Sequence, residues 1–142
     1  MREEARMRAL AIVGSPRIGG NSEILAQQCL DVIKGHGIET ELIQLAGRDL
    51  RGCTDCGVCK EEEICSIDDD LWPIYEAMKR SDALIVSVPT YFGSATPETM
   101  ALLDRSGYIA RKHGNIFARK IGSPIAVSRR AGHNFTFAQL LM

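Results

Sequence analysis

Ala9-Leu10-Ala11-Ile12-Val13-Gly14-Ser15-Pro16-Arg17-Ile18-Gly19-Gly20-Asn21-Ser22 joins a short apolar run to a glycine-rich loop, and the loop to an amphipathic segment. The apolar run 9–13 reads as a buried strand that ends at Gly14. Ser22 stands where a helix N-cap is expected. From 22 to about 34, Ile24, Leu25, Cys29, Leu30, Val32 and Ile33 recur at helical spacing. Gly35 and Gly37 then stop the helix. A strand, a tight loop and a helix in that order form the opening unit of an α/β sheet.

The rest of the chain repeats the alternation. Residues 38–45 predict a second, less buried strand, and a cysteine-rich loop covers about 47–67. Asp68, Asp69 and Asp70 open a helix that tolerates Pro73 in its first turn and buries Leu71, Ile74, Tyr75 and Met78. Residues 83–88 are almost continuously apolar, as in a central parallel strand covered on both faces. A loop 89–96, a helix from Pro97 to about Lys112, a strand 123–128, a loop 129–134 and a last helix from Phe135 follow. The expected fold is one α/β domain over 1–142, a doubly wound parallel sheet with helices on both faces. Ligands of such sheets lie beyond the carboxyl ends of the strands, which puts the three loops and the cysteine loop on one edge. A five-stranded sheet needs one more strand after Met142. The expectation is therefore a four-stranded sheet, or a shortened version of a longer product with its last strand missing.

Composition narrows the function classes. The 142 residues are 45% hydrophobic and 25% charged, with a net charge of −1, so a globular core is affordable and no bulk charge points to nucleic acid or an anionic membrane. Apolar runs fall well short of the ~18 residues of a membrane span. The charged segment 1–8 has no apolar stretch behind it, so no signal peptide is read and a cytoplasmic location is expected.

The loop 14–22 offers backbone N–H groups at a helix start, where anions are favoured. Ser15, Asn21 and Ser22 add short polar donors, Arg17 a charge, and Gly20 close backbone approach. A nucleoside-triphosphate loop requires Lys where Gly20-Asn21 stands, and the dinucleotide fingerprint G-x-G-x-x-G fails at Ser15-Pro16. What remains is a cradle for one terminal monophosphate, such as FMN carries, or an ordinary glycine-rich turn. In 89–94, Tyr91 and Phe92 either cover a flat apolar ligand or fold into the core. Pro89, Thr90, Gly93 and Ser94 complete that segment, with the Gly93 and Ser94 amides placed for a pyrimidine edge. Arg129 in the turn after the fourth strand supplies positive charge for a reduced flavin, or is a solvated surface charge. His113 and His133 have no identified partner, and no catalytic acid–base pair is read.

Cys53, Cys56, Cys59 and Cys65 form C-x2-C-x2-C-x5-C. In a reducing compartment such thiols are ligands or catalysts rather than disulfides. Zinc sites use separated C-x2-C pairs. Here three cysteines follow at steps of three, as at the start of bacterial ferredoxins. A [4Fe–4S] cluster, a zinc ion and a redox dithiol are the three readings. Gly52 and Gly57 allow N–H groups to face the sulfurs. Cys29 reads as a buried small hydrophobe.

GSPRIGGNS (14–22), PTYFGS (89–94), LLDR (102–105) and the SRRAG turn (128–132) together resemble the flavodoxin-like NADPH-dependent FMN reductase superfamily. The compact cysteine loop resembles its iron–sulfur flavoprotein branch. The resemblance implies FMN on Ser15, Arg17, Asn21, Ser22 and 89–94, and a [4Fe–4S] cluster on Cys53, Cys56, Cys59 and Cys65. It implies electrons passing from a ferredoxin-like carrier through the cluster and FMN to a small acceptor. An NAD(P)H-dependent FMN or quinone reductase with a structural cysteine loop, and a zinc-stabilised binding module, are the alternatives. Family members are dimers or tetramers, so a homodimer or homotetramer is expected.

Overall fold

The computed structural model describes residues 7–141; most of the charged segment 1–8 and Met142 lie outside the described residues. Among the described residues, four strands form one parallel sheet in the order β2-β1-β3-β4: β1 Arg8–Val13, β2 Glu39–Gln44, β3 Ala83–Pro89 and β4 Ile121–Val127. Four helices connect or follow them: α1 Asn21–Gly35, α2 Leu71–Arg80, α3 Pro97–Lys112 and α4 His133–Leu140. The expected alternation holds, and each observed boundary lies within two residues of its reading.

Successive residues of a strand face opposite sides, and β1 shows the result. Ala9, Ala11 and Val13 pack with Ala26 and Leu30 of α1. Leu10 and Ile12 pack on the other face with Leu71, Ile74 and Tyr75 of α2 and Leu102 and Ile109 of α3. Small side chains at 9, 11 and 26 let α1 sit close to the sheet. The buried stripe of α1 is accordingly narrow, Ser22, Ala26 and Leu30, and it corrects two readings. Cys29 lies one position off the stripe and is exposed, not buried, as are Ile24, Leu25 and Val32. Ser22 is not the N-cap: Gly20 holds that position, and Ser22 sits inside the first turn with its carbonyl accepting from Ser87 Oγ at 2.7 Å.

β4 is an edge of the sheet among the described residues, and its first three residues are exposed. That explains why the apolar pattern located only its second part. Asp70 precedes α2, but Asp69 is the carboxylate that reaches the helix start, accepting from Leu71 N–H at 3.1 Å.

Gly14 fastens the sheet to α3. Its N–H donates to the Ser87 carbonyl at 2.8 Å, and its own carbonyl accepts from Thr96 Oγ1 at 2.7 Å. A Cβ at Gly14 would stand 1.9 Å from Thr99 Oγ1 and 2.9 Å from Val88 Cγ1. Gly14→Ala is expected to cost about 1–3 kcal/mol through this overpacking, read as a lower urea midpoint at unchanged slope. Gly107→Ala lies inside α3 with nothing within 4 Å of its Cβ. It is expected to move the midpoint up, by the ~1 kcal/mol helix preference of Ala over Gly.

Candidate functional site

The phosphate-type loop is held open by its own contacts. Ser15 is buried, and its Oγ accepts from the Arg17 N–H at 3.1 Å and donates to the Arg17 carbonyl at 3.3 Å. Ser15 thus shapes the loop rather than presenting a free hydroxyl. Gly19 N–H donates to Glu23 Oε2 at 2.7 Å, and Gln44 Nε2 donates to the same oxygen at 3.0 Å. Glu23 and Gln44 were not read from the sequence. At the start of α1 the Glu23 and Ile24 amides return to the Gly20 carbonyl. The amides of Asn21 and Ser22 have no partner among the described residues. They are the pair left for an anion.

A cavity of about 360 Å³ joins this loop to Pro89, Tyr91 and Val127. Tyr91 and Phe92 are exposed, Phe92 completely, so the core-packing alternative for them is excluded. Phe92 holds a left-handed φ of 50° and Gly93 one of 82°, a turn closed by Tyr91 N–H to Ser94 O at 2.8 Å and Ser94 N–H to Tyr91 O at 3.1 Å. The Ser94 amide is therefore committed to the turn, against expectation, whereas the Gly93 amide has no partner among the described residues. Ser94 Oγ donates to Gln139 Oε1 at 3.1 Å. Thr90 Oγ1 is buried without a partner, an unused hydroxyl at the edge where a flavin is expected. Gly132, with φ of 88°, brings the third loop in: a Cβ there would stand 3.0 Å from Gly93 Cα and 3.0 Å from Thr90 Cγ2. Arg129 is exposed. His133 Nδ1 lies 3.0 Å from Ser128 Oγ, which gives this ring the partner that the sequence did not show.

The residues present fit a flavin phosphate: the unpartnered helix-start amides of Asn21 and Ser22 and the exposed ring of Tyr91 belong to residues that line one cavity.

The cysteine loop starts at the carboxyl edge and leaves it. Its neck is closed by Asp70 N–H to the Asp49 carbonyl at 2.9 Å and Asp49 N–H to Asp70 Oδ2 at 2.8 Å. Cys53, Cys56, Cys59 and Cys65, all free thiols, line a cavity of about 50 Å³ with Arg105 and Tyr108 of α3. Thr96 touches the sheet edge and Arg105 is nine residues further along, about 13 Å at 1.5 Å per residue. His113, at the far end of α3, has Nε2 3.0 Å from the Cys59 carbonyl oxygen. The cysteines therefore lie along α3 and not on the sheet edge that carries loop 14–22, a correction to the single-edge expectation. The chain can turn away because the neck fixes only the loop's ends.

Among the described residues, no three His, Cys, Asp or Glu side chains converge as the ligand set of a single metal ion. The thiols instead have separate polar neighbours. Asp55 N–H donates to Cys53 Sγ at 3.4 Å, Cys56 Sγ and Ser66 Oγ are 3.0 Å apart, and Arg105 Nη2 donates to Cys65 Sγ at 3.1 Å. These are not the Gly52 and Gly57 amides that the sequence suggested. Gly57, with φ of 82°, caps a short 3₁₀ turn, Val58–Lys60. Hydrogen bonding from Ser66, then from the Val58 backbone, holds the Cys56 thiol below its ordinary range. Burial pushes the Cys59 thiol up, and the other three thiols add to it against a backbone hydrogen bond. Four soft sulfur donors on one cavity, with a cation against one of them, fit a thiolate-held iron–sulfur centre.

Arg105 and Asp69 are the residues that sequence reasoning missed. Arg105 is 2% exposed and grips Asp69 with Nη1–Oδ2 2.5 Å and Nη2–Oδ1 3.0 Å. Nη1 also donates to the Arg51 carbonyl at 2.9 Å. Asp69 Oδ2 accepts from the Arg51 N–H at 3.0 Å. Burial pushes the Asp69 carboxyl up, but the Arg105 hydrogen bonds and the Arg51 and Leu71 amides outweigh it and hold the group below the usual range. A charged residue three positions after Leu102 and four before Ile109, on the face of α3 that these two bury, was the available signal.

Residues 7–142 match the family model of NADPH-dependent FMN reductases, and the chain belongs to that family. It is 39% identical over 136 residues to an iron-sulfur flavoprotein of Methanocaldococcus jannaschii, covering 94% of this chain and 69% of the relative. It is 35% identical to an iron-sulfur flavoprotein of Methanosarcina thermophila, covering 94% of this chain and 71% of the relative. Among solved structures, an NADH:FMN oxidoreductase in its apo form superposes with a TM-score of 0.69 at 24% identity, over 95% of this chain and 65% of that one. RosB superposes with a TM-score of 0.75 at 15% identity, over 95% of this chain and 57% of that one. The fold is flavodoxin-like, and the family makes the chain an FMN-dependent oxidoreductase. Among the described residues no helix is long and apolar enough to cross a membrane.

Two outcomes are expected. In metal-free, fully reduced protein near neutral pH, iodoacetamide labels Cys56 ahead of Cys59, because the thiolate is the nucleophile; Ser66→Ala narrows the lead without abolishing it, as read by site-resolved mass spectrometry. The Asp69 pair contributes its full stability above the usual carboxylate range near pH ~4 and loses it as pH falls through the lower folded value. Asp69→Asn, which strips Arg105 of its counter-ion, is expected to cost about 3–5 kcal/mol at neutral pH. It also flattens the acid limb of a stability–pH profile measured by urea unfolding.

Proposed function

We propose that this chain is an iron–sulfur flavoprotein that carries electrons from a ferredoxin-like carrier, or from NAD(P)H, to a small-molecule acceptor. FMN is held by Arg17, Gly20, Asn21 and Ser22 of the loop that Ser15 shapes, by 89–94 and by Arg129. A [4Fe–4S] cluster is held by Cys53, Cys56, Cys59 and Cys65. The observation that carries the reading is the sharing of α3: its first turn fastens the phosphate loop through Thr96 and Gly14, and its middle presents Arg105 to the thiol cavity. When bound, the flavin supplies paired-electron chemistry and the cluster single-electron chemistry.

The chain's own residues then bind and position. The Asn21 and Ser22 amides and the dipole of α1 receive the phosphate. The Thr90 hydroxyl and Gly93 amide are donors for the polar edge of the ring, and Tyr91 and Phe92 cover its apolar part. Arg129 offers positive charge to a reduced, anionic ring. Four thiolates bind the cluster, with Ser66 and Arg105 donating to two of them. The curated relatives above carry the name iron-sulfur flavoprotein, which supports the cluster reading. The proposal includes a cytoplasmic homodimer or homotetramer, in which a second subunit covers Phe92 and Phe135, 112% and 78% exposed.

Anaerobically purified protein is expected to hold FMN, iron and acid-labile sulfide, with an absorption shoulder near ~400 nm beneath the flavin bands. Cys56→Ser and Cys59→Ser are expected to lose iron and sulfide while keeping FMN. Stoichiometric FMN with rapid bleaching by NADPH and no iron in the unmodified protein would replace this reading with that of a reductase whose cysteine loop is structural. One zinc without flavin would leave a binding module.

A further inference from the structure

We propose that Arg105, neutralised in part by Asp69, is the positioning residue that fixes the Cys65 corner of the thiolate centre and raises that centre's reduction potential. The inference rests on the cluster reading above and extends it to two residues that touch no flavin.

The geometry has two parts. Arg105 ties both ends of the cysteine segment to α3. Its guanidinium reaches the Arg51 carbonyl at 2.9 Å before Cys53, and Cys65 Sγ at 3.1 Å and the Ile67 carbonyl at 3.5 Å behind the last cysteine. Asp69 locks the fork from the opposite side and accepts from the Arg51 and Leu71 amides. The side chains of this ion pair are 1% and 0% exposed, so neither can swing away.

The second part is charge. Reduction adds one electron to a centre that its thiolates already make negative. A fixed cation beside one sulfur favours the reduced state, and net charge and hydrogen bonds to sulfur are among the settings of such potentials. Burial keeps that effect from being screened by salt. Asp69 opposes it: its carboxylate cancels part of the positive field. Removing the cation and removing the anion should therefore shift the potential in opposite directions. A role confined to holding the loop predicts no such opposition. Ser66 is a comparison within the same loop, since it gives Cys56 a hydrogen bond without a charge.

The test uses anaerobically purified holoprotein. Iron and sulfide are quantified, and the cluster is titrated with dithionite under potentiometric control while electron paramagnetic resonance follows the reduced centre. Arg105→Gln is expected to lower the midpoint by at least ~59 mV, a tenfold change in a one-electron equilibrium constant. Arg105→Lys, which keeps the charge and loses the fork, is expected to stay within half of that shift. Asp69→Asn is expected to raise the midpoint. If Arg105→Gln holds no iron, the Lys and Asn variants decide by the same criteria. Equal downward shifts in all three variants, or full iron with unmoved midpoints, overturn the role of Arg105 and leave the cluster reading intact. Absence of iron and sulfide from the unmodified protein overturns the cluster reading itself, and this inference with it.

Discussion

A guanidinium kept from water must find its partners inside the fold, and most of the cysteine loop is arranged around the one at Arg105. Desolvating a charge costs several kcal/mol even after the protein relaxes around it, roughly. Asp69 answers that cost with two short hydrogen bonds. The Arg51 carbonyl and Cys65 sulfur take further protons of the fork, and among the described residues only Nε is left without a partner. A hydrophobic pair of the same volume could hold α3 to the loop equally well. It could not present a positive charge to a sulfur. The pair is therefore better explained by what it does to the thiols than by stability alone.

The same helix disciplines the other site. Thr96 and Thr99 at the start of α3 press on Gly14, where no side chain fits. That contact sets the height of the phosphate loop above the sheet. Gly132 does the corresponding service between the second and third loops, meeting Gly93 with no room for a Cβ that would not crowd backbone. The loops are thus held by two close approaches, Gly14 to the Thr99 and Val88 side chains and Gly132 to the Gly93 backbone. The approach of Gly132 to Gly93 is less easily deformed than side-chain packing, because backbone cannot change rotamer.

The sheet was legible in the sequence because its strands are apolar runs and its helices are periodic, and those patterns follow directly from burial. The glycine-rich loop was legible as a strand-to-helix turn, and its free Asn21 and Ser22 amides follow from the helix start that the sequence places there. What escaped was set by partners far away in the chain. Arg105 and Asp69 are 36 residues apart, and no local pattern couples them. Glu23 and Gln44 are 21 residues apart, and the nearer pairs, Ser66 with Cys56 and Ser128 with His133, are meetings of single polar groups with no periodic pattern to announce them. Cys29 was misread for a geometric reason: a stripe built from Ser22, Ala26 and Leu30 is too narrow to take a neighbour 100° around the helix.

The path of the cysteine loop follows from its neck. Asp49, Arg51, Asp69 and Asp70 zip the two ends together, so the entropy of closing the loop is met there and grows only slowly with the residues between. Those residues form a single short turn of 3₁₀ helix and bury little apolar surface: Cys53 and Cys56 are exposed, and Cys59 and Cys65 only lean on the core beneath. A stretch of this length without its own core needs another source of order. Arg105 provides it at one corner, His113 at a second through the Cys59 carbonyl, and Ser66 at a third. A centre bound to all four sulfurs would join these corners into one body. It would do so on α3, the element whose N-terminal Thr96 also holds the Gly14 carbonyl at the start of loop 14–22, so both loops draw on the same helix.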